Sequence, residues 1–400
     1  MSESRTVSGR VPAAEPLTVI RSGGGTGGHL YPALALADAL TARRPDLVPI
    51  FVGSERGLEA RVLPARGVRH HLLPVEGFQR GGGSGVARLA ANVRVAGRLL
   101  GAMTELAGRF DSLRPALVVV TGGYAGGPAG ILAMLLGVPL VLQEQNSVPG
   151  LTTRLLSLRA RQIHLAFPEA RERLPRVVRS RARITGNPVH PPEAVDLVAA
   201  RTLFNLEPDR PLVLVVGGSQ GSRALNQAVM KMVTAVTPGG LPGGAQLLWA
   251  TGPSHVLEVR AALDAAGDPA WVRAVGYIDA MPMALALAEV AVSRAGAMGT
   301  SEFLAWGIPS ILVPLPTAAA DHQAANARAL AEAGAAILVS EAQLTGEGLA
   351  ETLRALLGDP MALAGMAAAA RLRGRPSAAV DIADQVARLL PPPWPRAVAS

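Results

Sequence analysis

The sequence predicts an α/β protein built from two doubly wound domains, each a parallel sheet covered by helices on both faces. Three observations carry this. Short apolar runs alternate with helical patterns along 400 residues, a length that exceeds one comfortable hydrophobic core. The chain is 49% hydrophobic but 3% aromatic and holds 44 glycines, which suits tightly packed layers. It also resembles itself, because Leu17 through His29 and Val213 through Gly221 both read as a strand running into a glycine turn. Two Rossmann-like domains with a ligand in the cleft between them is the economical arrangement.

In the first half, strands are predicted near Leu17–Ile20, Leu47–Val52, His71–Pro74, Leu117–Thr121, Leu140–Gln143, Gln162–Leu165 and Arg183–Thr185. In the second they fall near Leu212–Val216, Gln246–Ala250, Trp271–Val275, Val290–Ser293, Ser310–Val313 and Ala336–Val339. Helical spacing separates most of them; Leu225, Ala228, Val229, Met232, Val233 and Val236 make one apolar stripe. An alanine- and leucine-rich helix is expected to begin near Pro32. Thr185-Gly-Asn-Pro-Val189, followed by Pro191-Pro192, reads as the connection between domains spanning 17–187 and 188–376. Residues 1–16 and the tail Pro391–Pro395 are expected to be disordered or loosely attached.

The absence of cysteine excludes disulfides, a thiolate nucleophile and cysteine-ligated zinc. No run of 18 apolar residues occurs, and residues 1–16 lack the apolar middle of a secretion signal. A cytoplasmic protein that touches a membrane without crossing it is therefore expected. The formal net charge of +8 is uneven, +12 over residues 1–187 and −4 over residues 188–400. Nine arginines lie between Arg154 and Arg183. They are either solvated surface charge or a basic face for anionic lipid or a polyanionic substrate. Nucleic acid is disfavoured, since no aromatic side chains interleave the basic stretches.

Ser22-Gly-Gly-Gly-Thr26-Gly27-Gly28-His29 joins a strand to a helix, where backbone N–H groups can approach an anion. Gly23, Gly25 and Gly28 satisfy G-x-G-x-x-G, a weak signal alone, but His29 adds a titratable group facing whatever the loop holds. A second loop, Gly122-Gly123-Tyr124-Ala-Gly126-Gly127-Pro128, is either a second phosphate cradle or an ordinary strand-to-helix turn. A third, Gly217-Gly218-Ser219-Gln220-Gly221, adds the Ser219 hydroxyl. One nucleotide diphosphate and a second phosphorylated ligand account for all three. Glu144-Gln145-Asn146 follows a buried strand and either projects into the ligand crevice or caps a loop. Ala297-Met298-Gly299-Thr300-Ser301-Glu302 opens a helix whose free N–H groups suit an anion. Glu302, placed in its first turn, is either a ribose ligand or a helix-start device. Asp321-His322-Gln323 offers amide and imidazole to a hydroxylated ligand, or Asp321 simply caps a helix. No pattern suggests a metal site.

In order and spacing these strings resemble the MurG family of peptidoglycan N-acetylglucosaminyltransferases, over about residues 17 to 390. The resemblance implies a GT-B fold whose first domain takes a lipid acceptor and whose second takes UDP-GlcNAc. A last helix, about 377–390, returns to the first domain. It implies inverting transfer of GlcNAc to the 4-hydroxyl of MurNAc in lipid I, giving lipid II, with no cofactor and no essential metal. By similarity His29 is the base and Asn146 orients sugar hydroxyls. Thr26, Gly27, Gly28, Gly122, Gly123 and Tyr124 then cradle the acceptor diphosphate, beside Glu144. Ser219, Gln220, Gly221 and Ala297 through Ser301 face the UDP phosphates. Ile278 reads uracil, Glu302 the ribose, and His322 and Gln323 the donor sugar. Where the family often carries arginine, this chain has His190, and Gly299 replaces a frequent threonine. Expected partners are UDP-GlcNAc, lipid I, an anionic membrane surface and other cell-wall synthesis or division proteins, at the cytoplasmic face of the bacterial inner membrane. The membrane patch is expected around residues 75–100, with Phe78, Gly81–Gly85 and Arg80, Arg88, Arg94 and Arg98. Competing readings are another GT-B glycosyltransferase, a sugar-nucleotide epimerase, a noncatalytic membrane scaffold and an NAD-dependent oxidoreductase.

Overall fold

The computed structural model describes residues 16–77, 85–236 and 240–392, with backbone alone for residues 85–94 and 96. Phe78, Arg80 and Gly81 through Ser84, the side chains of Arg88 and Arg94, and residues 1–15 and 393–395 therefore lie outside the described residues.

In the first half, strands β1 (Leu17–Gly23), β2 (Leu47–Ser54), β3 (His70–Leu73), β4 (Leu117–Gly122), β5 (Leu140–Glu144), β6 (Gln162–Leu165) and β7 (Ala182–Ile184) alternate with helices. These are α1 (Gly27–Arg43), α2 (Glu59–Ala65), α3 (Gly85–Leu113), α4 (Gly127–Leu136), α5 (Leu151–Leu156) and α6 (Glu169–Glu172). The second half holds β8 (Leu212–Val216), β9 (Gln246–Ala250), β10 (Val272–Val275), β11 (Ala288–Ser293), β12 (Ser310–Leu312) and β13 (Ala336–Leu338). Its helices are α7 (Leu197–Leu203), α8 (Arg223–Val236), α9 (Val256–Ala265), α10 (Met281–Leu287), α11 (Ala297–Trp306), α12 (His322–Glu332), α13 (Gly346–Gly358), α14 (Pro360–Arg373) and α15 (Ala378–Ala387). Each apolar run read as a strand forms one.

The strands make two sheets, ordered β3-β2-β1-β4-β5-β6-β7 and β10-β9-β8-β11-β12-β13, with parallel pairing throughout. Central strands such as β4 are buried along their whole length, which is why Leu117 through Val120 is a continuous apolar run and not an alternating one. In each sheet the order reverses between two central strands, β1 and β4 in the first and β8 and β11 in the second. Loops leaving the carboxyl ends of these strands splay to opposite faces and open a crevice. All three glycine loops and the start of α11 leave such strands.

Helix α1 begins at Gly27, with Thr26 extended before it, so the expected start near Pro32 is corrected. Pro32 lies inside the helix, and His29 sits in its first turn. Proline at the sixth helical position forfeits one bond, to the Gly28 carbonyl, and the helix forms around it. In α4, Pro128 occupies the first turn and Gly137 closes the helix at φ 71°, the left-handed conformation that glycine adopts without strain.

The last helix crosses between the sheets. Ile382, Ala383 and Val386 of α15 pack with Val19, Leu36, Leu40, Val119 and Val141, all of the first sheet or α1. Arg373, at the end of α14, bonds both oxygens of Glu169 at 2.5 and 2.6 Å, and its guanidinium lies 5.8 Å from the centre of the Phe167 ring. Chain entering the second sheet at Gly186 and returning at Arg375 therefore runs side by side; a Cβ at Gly186 would lie 2.4 Å from Cβ of Arg375.

Candidate active site

His29 is fixed by the neighbouring strand. Its Nδ1 lies 2.9 Å from the Thr121 carbonyl oxygen and 2.7 Å from Oε1 of Gln145, while the Thr121 hydroxyl donates to the His29 carbonyl at 2.7 Å. A backbone carbonyl only accepts, so Nδ1 carries the ring proton and Nε2 is left as the ring's acceptor. The two glycine loops touch here. A Cβ at Gly123, where φ is +72°, would lie 2.3 Å from the Gly24 carbonyl oxygen and 3.1 Å from Cδ2 of His29. Tyr124 covers Gly25 from the other side, its Cε1 2.6 Å from where a Cβ would stand.

The first loop is not an open anion nest along its whole length. Glu59, fully buried at the start of α2, accepts from the Gly25 N–H with both carboxylate oxygens, at 3.1 and 3.0 Å, and from the Ser54 N–H at 2.9 Å. The N–H groups still at hand are those of the first turn of α1, from Gly27 and Gly28. Glu59 lies 34 residues from the loop, and no local pattern marked it.

Glu144 is placed inside the fold. It is 3% exposed, and its oxygens accept from the Asn146 N–H, the Gly150 N–H and the Thr153 hydroxyl at 3.1, 3.1 and 2.6 Å. This is the loop-capping arrangement, and it aims Asn146 across the cleft. There Asn146 Oδ1 accepts from Nδ2 of Asn326 on α12 at 3.2 Å, and Asn326 Oδ1 accepts from the Ser147 N–H at 2.8 Å. Asn326 is another residue that sequence reasoning missed as a site member; its signal was a buried amide on an otherwise alanine-rich helix face.

On the second sheet, Ser219 and Gln220 are exposed on the loop after β8, and Gly221 packs so closely that a Cβ would lie 2.0 Å from the Thr251 carbonyl oxygen. Helix α11 starts at Ala297, so the N–H groups of Ala297, Met298 and Gly299 point out of its end unpaired by the helix. The Thr300 hydroxyl turns back to the Gly296 and Ala297 carbonyls at 3.0 and 3.1 Å, leaving backbone as the donor surface. Glu302 lies in the second turn, which corrects the first-turn placement. It lines a small cleft of about 100 Å³ with Val216, Gly218, Met281, Ser293 and Gly299. Burial pushes its carboxyl up to about 7. Burial, then the negative charge of Tyr31, Asp279 and Glu302, also raises Tyr277, so groups on α1 and α11 act electrostatically on the same side chain.

Ile278 is buried beside the exposed Tyr277, His190 is exposed, and His322 is half-buried at the start of α12. Gln323 Oε1 accepts from the Leu315 N–H at 3.0 Å, leaving its Nε2 to donate. Asp321 precedes α12 at φ 54° and caps it with no side-chain bond, so the capping expectation for it is corrected. Among the described residues no three His, Asp or Glu side chains gather as metal ligands would.

Two lobes of parallel sheet, with helix starts and an oriented imidazole at the crevice between them, make this a GT-B fold, and the domain matches make it a glycosyltransferase. Residues 19–165 match the glycosyltransferase family 28 N-terminal domain, and residues 212–386 match its C-terminal domain. The chain belongs to the MurG family. A relative from Salinibacter ruber, named as a UDP-N-acetylglucosamine–N-acetylmuramyl-(pentapeptide) pyrophosphoryl-undecaprenol N-acetylglucosamine transferase, is 40% identical, covering 93% of this chain and 96% of its own. One of the same name from Desulforudis audaxviator is 40% identical over 93% and 98%. The solved structure of Acinetobacter baumannii MurG superposes with a TM-score of 0.72 at 27% identity, covering 93% of this chain and all of that one.

Proposed function

We propose that this chain transfers GlcNAc from UDP-GlcNAc to the 4-hydroxyl of MurNAc in lipid I, giving lipid II and UDP with inversion at the anomeric carbon. The names borne by its relatives supply donor and acceptor. The observation that carries the chemistry is the Thr121 carbonyl oxygen 2.9 Å from His29 Nδ1; an acceptor there calls for the ring proton on Nδ1 and leaves Nε2 to take the proton of the attacking hydroxyl. The acceptor oxygen forms the new bond to C1 as the bond from C1 to the UDP β-phosphate oxygen breaks. The electron pair leaves with UDP, whose charge meets the N–H groups of Ala297, Met298 and Gly299 and the Ser219 hydroxyl. Glu302 accepts from the ribose, the Ile278 backbone reads uracil, and Gln323 Nε2 with His322 serves the donor sugar. The acceptor diphosphate lies at the first turn of α1, between Thr26 and Gly28, and the Gly122–Tyr124 loop. His190 takes the place of the arginine that the family often carries and faces the phosphates.

No helix among the described residues is long and apolar enough to cross a membrane. Attachment is peripheral, at the cytoplasmic face; a membrane-facing surface is supported by α4, α5 and the turn after α5, which expose Leu135, Leu136, Leu151, Leu155 and Leu158 beside the exposed Arg154, Arg159 and Arg161. Thr152 on α5 donates to the Gly123 carbonyl at 3.1 Å, so this face adjoins the acceptor loop.

The deciding experiment is transfer from UDP-GlcNAc to a lipid I analogue, with and without EDTA, for the native chain and His29→Ala. The native chain makes product in EDTA, and His29→Ala loses about 10²- to 10⁴-fold in kcat with UDP affinity kept. No product from the native chain overturns the activity, strong EDTA inhibition overturns metal independence, and near-normal turnover of His29→Ala removes it as the base.

A further inference from the structure

A line of buried amides joins the imidazole of one lobe to the donor-side helix of the other. His29 Nδ1–H faces Gln145 Oε1. Gln145 Nε2 donates to Gln143 Oε1 and, at 3.0 Å, to the Gln143 carbonyl. Gln143 Nε2 donates to Asn187 Oδ1 at 2.9 Å. Asn187 Nδ2 faces Ser301 Oγ at 2.8 Å and the Ala297 carbonyl at 3.3 Å, both on α11. Gln143, Gln145 and Asn187 are 0%, 1% and 2% exposed, so water does not compete for these bonds.

The chain of bonds has one direction. At one end the Thr121 carbonyl forces the proton onto Nδ1, and at the other the Ala297 carbonyl accepts only. Each amide between them presents oxygen toward His29 and nitrogen toward α11. Turning any one of them would set two donors or two acceptors face to face in a buried site, which is costly.

Resting on His29 as the base, we propose that Gln145, Gln143 and Asn187 form an interdomain relay of positioning residues that couples the seating of the donor helix to the orientation of the His29 ring. None of the three touches a reacting atom. A donor drawing α11 into place tightens the Asn187 bonds, and the relay holds the imidazole where Nε2 meets the acceptor hydroxyl.

The test is a double-mutant cycle on kcat for GlcNAc transfer to a lipid I analogue, with Gln145→Met and Ser301→Ala, whose side chains do not bond each other. Gln145→Met falls about tenfold and Ser301→Ala about threefold, and the double variant falls no further than Gln145→Met. Gln143→Met, two bonds from the ring, repeats the loss of Gln145→Met, with the KM for UDP-GlcNAc within about twofold as the readout that a merely structural role fails. In a His29→Ala background none of these substitutions lowers the residual rate. Multiplying losses in the double variant, native kcat in both Met variants, or a further loss without His29 overturns the relay. Near-native turnover of His29→Ala itself defeats the base assignment instead, so the two failures are distinct.

Discussion

Glu59 places both carboxylate oxygens on the N–H of Gly25, at 3.1 and 3.0 Å, inside the loop that would otherwise read as an anion nest. The protein has filled that position with its own anion-shaped group. The carboxylate also takes the Ser54 N–H, so it ties the ends of β1 and β2 together and sets the angle at which α1 begins.

Glu59→Ala leaves the Gly25 and Ser54 N–H groups without their acceptor, at a cost of about 1–3 kcal/mol for each group that stays buried. Expected are a lower urea midpoint and a kcat reduced about tenfold, with the KM for UDP-GlcNAc within about twofold because the donor groups lie on the other sheet. Glu59→Gln, which keeps one acceptor, falls between. Tighter acceptor binding at unchanged stability would mean that the carboxylate blocks the loop and does not build it.

Much of this arrangement was legible in the sequence. Parallel strands buried on both faces must be continuous apolar runs, so β4 and β8 announced themselves, and glycine at strand ends marked the loops of the crevice. What was not legible depends on pairings across long separations. Nothing near Glu59 says that it meets Gly25, and Gln145, although inside a motif, shows its partners only when β4, β5 and α1 are assembled. The helix start at Gly27 was hidden because Pro32 reads as a beginning, whereas Thr26 supplies the extended residue before the first turn without a side-chain cap.

Glu302 gives a pH dependence with a definite sign. Burial raises its carboxyl from 4.5 to about 7, so between these values the folded chain binds more protons than the unfolded one, and stability from this group falls as pH rises. His164 opposes it. Burial and then Arg183 lower that imidazole from 6.5 to about 4, and its contribution rises with pH across that window. Urea unfolding of Glu302→Gln from pH 4 to 8 is expected to show a steeper rise up to about pH 6.5, and His164→Gln a net decline. Glu302→Gln also weakens UDP-GlcNAc binding at pH 8. Parallel stability curves for Glu302→Gln and the native chain would exclude a raised carboxyl.

The exposed leucines of α5 and of the turn after it predict how the protein meets a bilayer. Leu155→Asp with Leu158→Asp is expected to cut binding to anionic vesicles at least tenfold, since each replaces an exposed apolar side chain with a charge of the wrong sign. Arg154→Gln removes roughly 1 kcal/mol near an anionic surface, an effect that disappears with neutral lipid or high salt. Turnover of a short-chain, water-soluble acceptor stays near native in all three. Vesicle binding indifferent to every one of these changes would place the membrane face elsewhere.

Gly123→Ala tests whether contact between the two glycine loops sets the position of His29. The backbone there has φ +72°, which costs an alanine about 1–2 kcal/mol, and the added methyl would stand 2.3 Å from the Gly24 carbonyl oxygen. The Gly24 wall is backbone, so relief there requires the loops to part. The same methyl would press on Cδ2 of His29 at 3.1 Å and turn the ring away from Thr121 and Gln145. Misplacing a base by about 1 Å costs on the order of 10²-fold in rate, so kcat is expected to fall by that factor while UDP-GlcNAc still binds. Gly127→Ala, at a position where a Cβ meets nothing within 4 Å, serves as the control and leaves kcat near native. Equal kinetics for the two variants would show that the loops need not touch for the histidine to work.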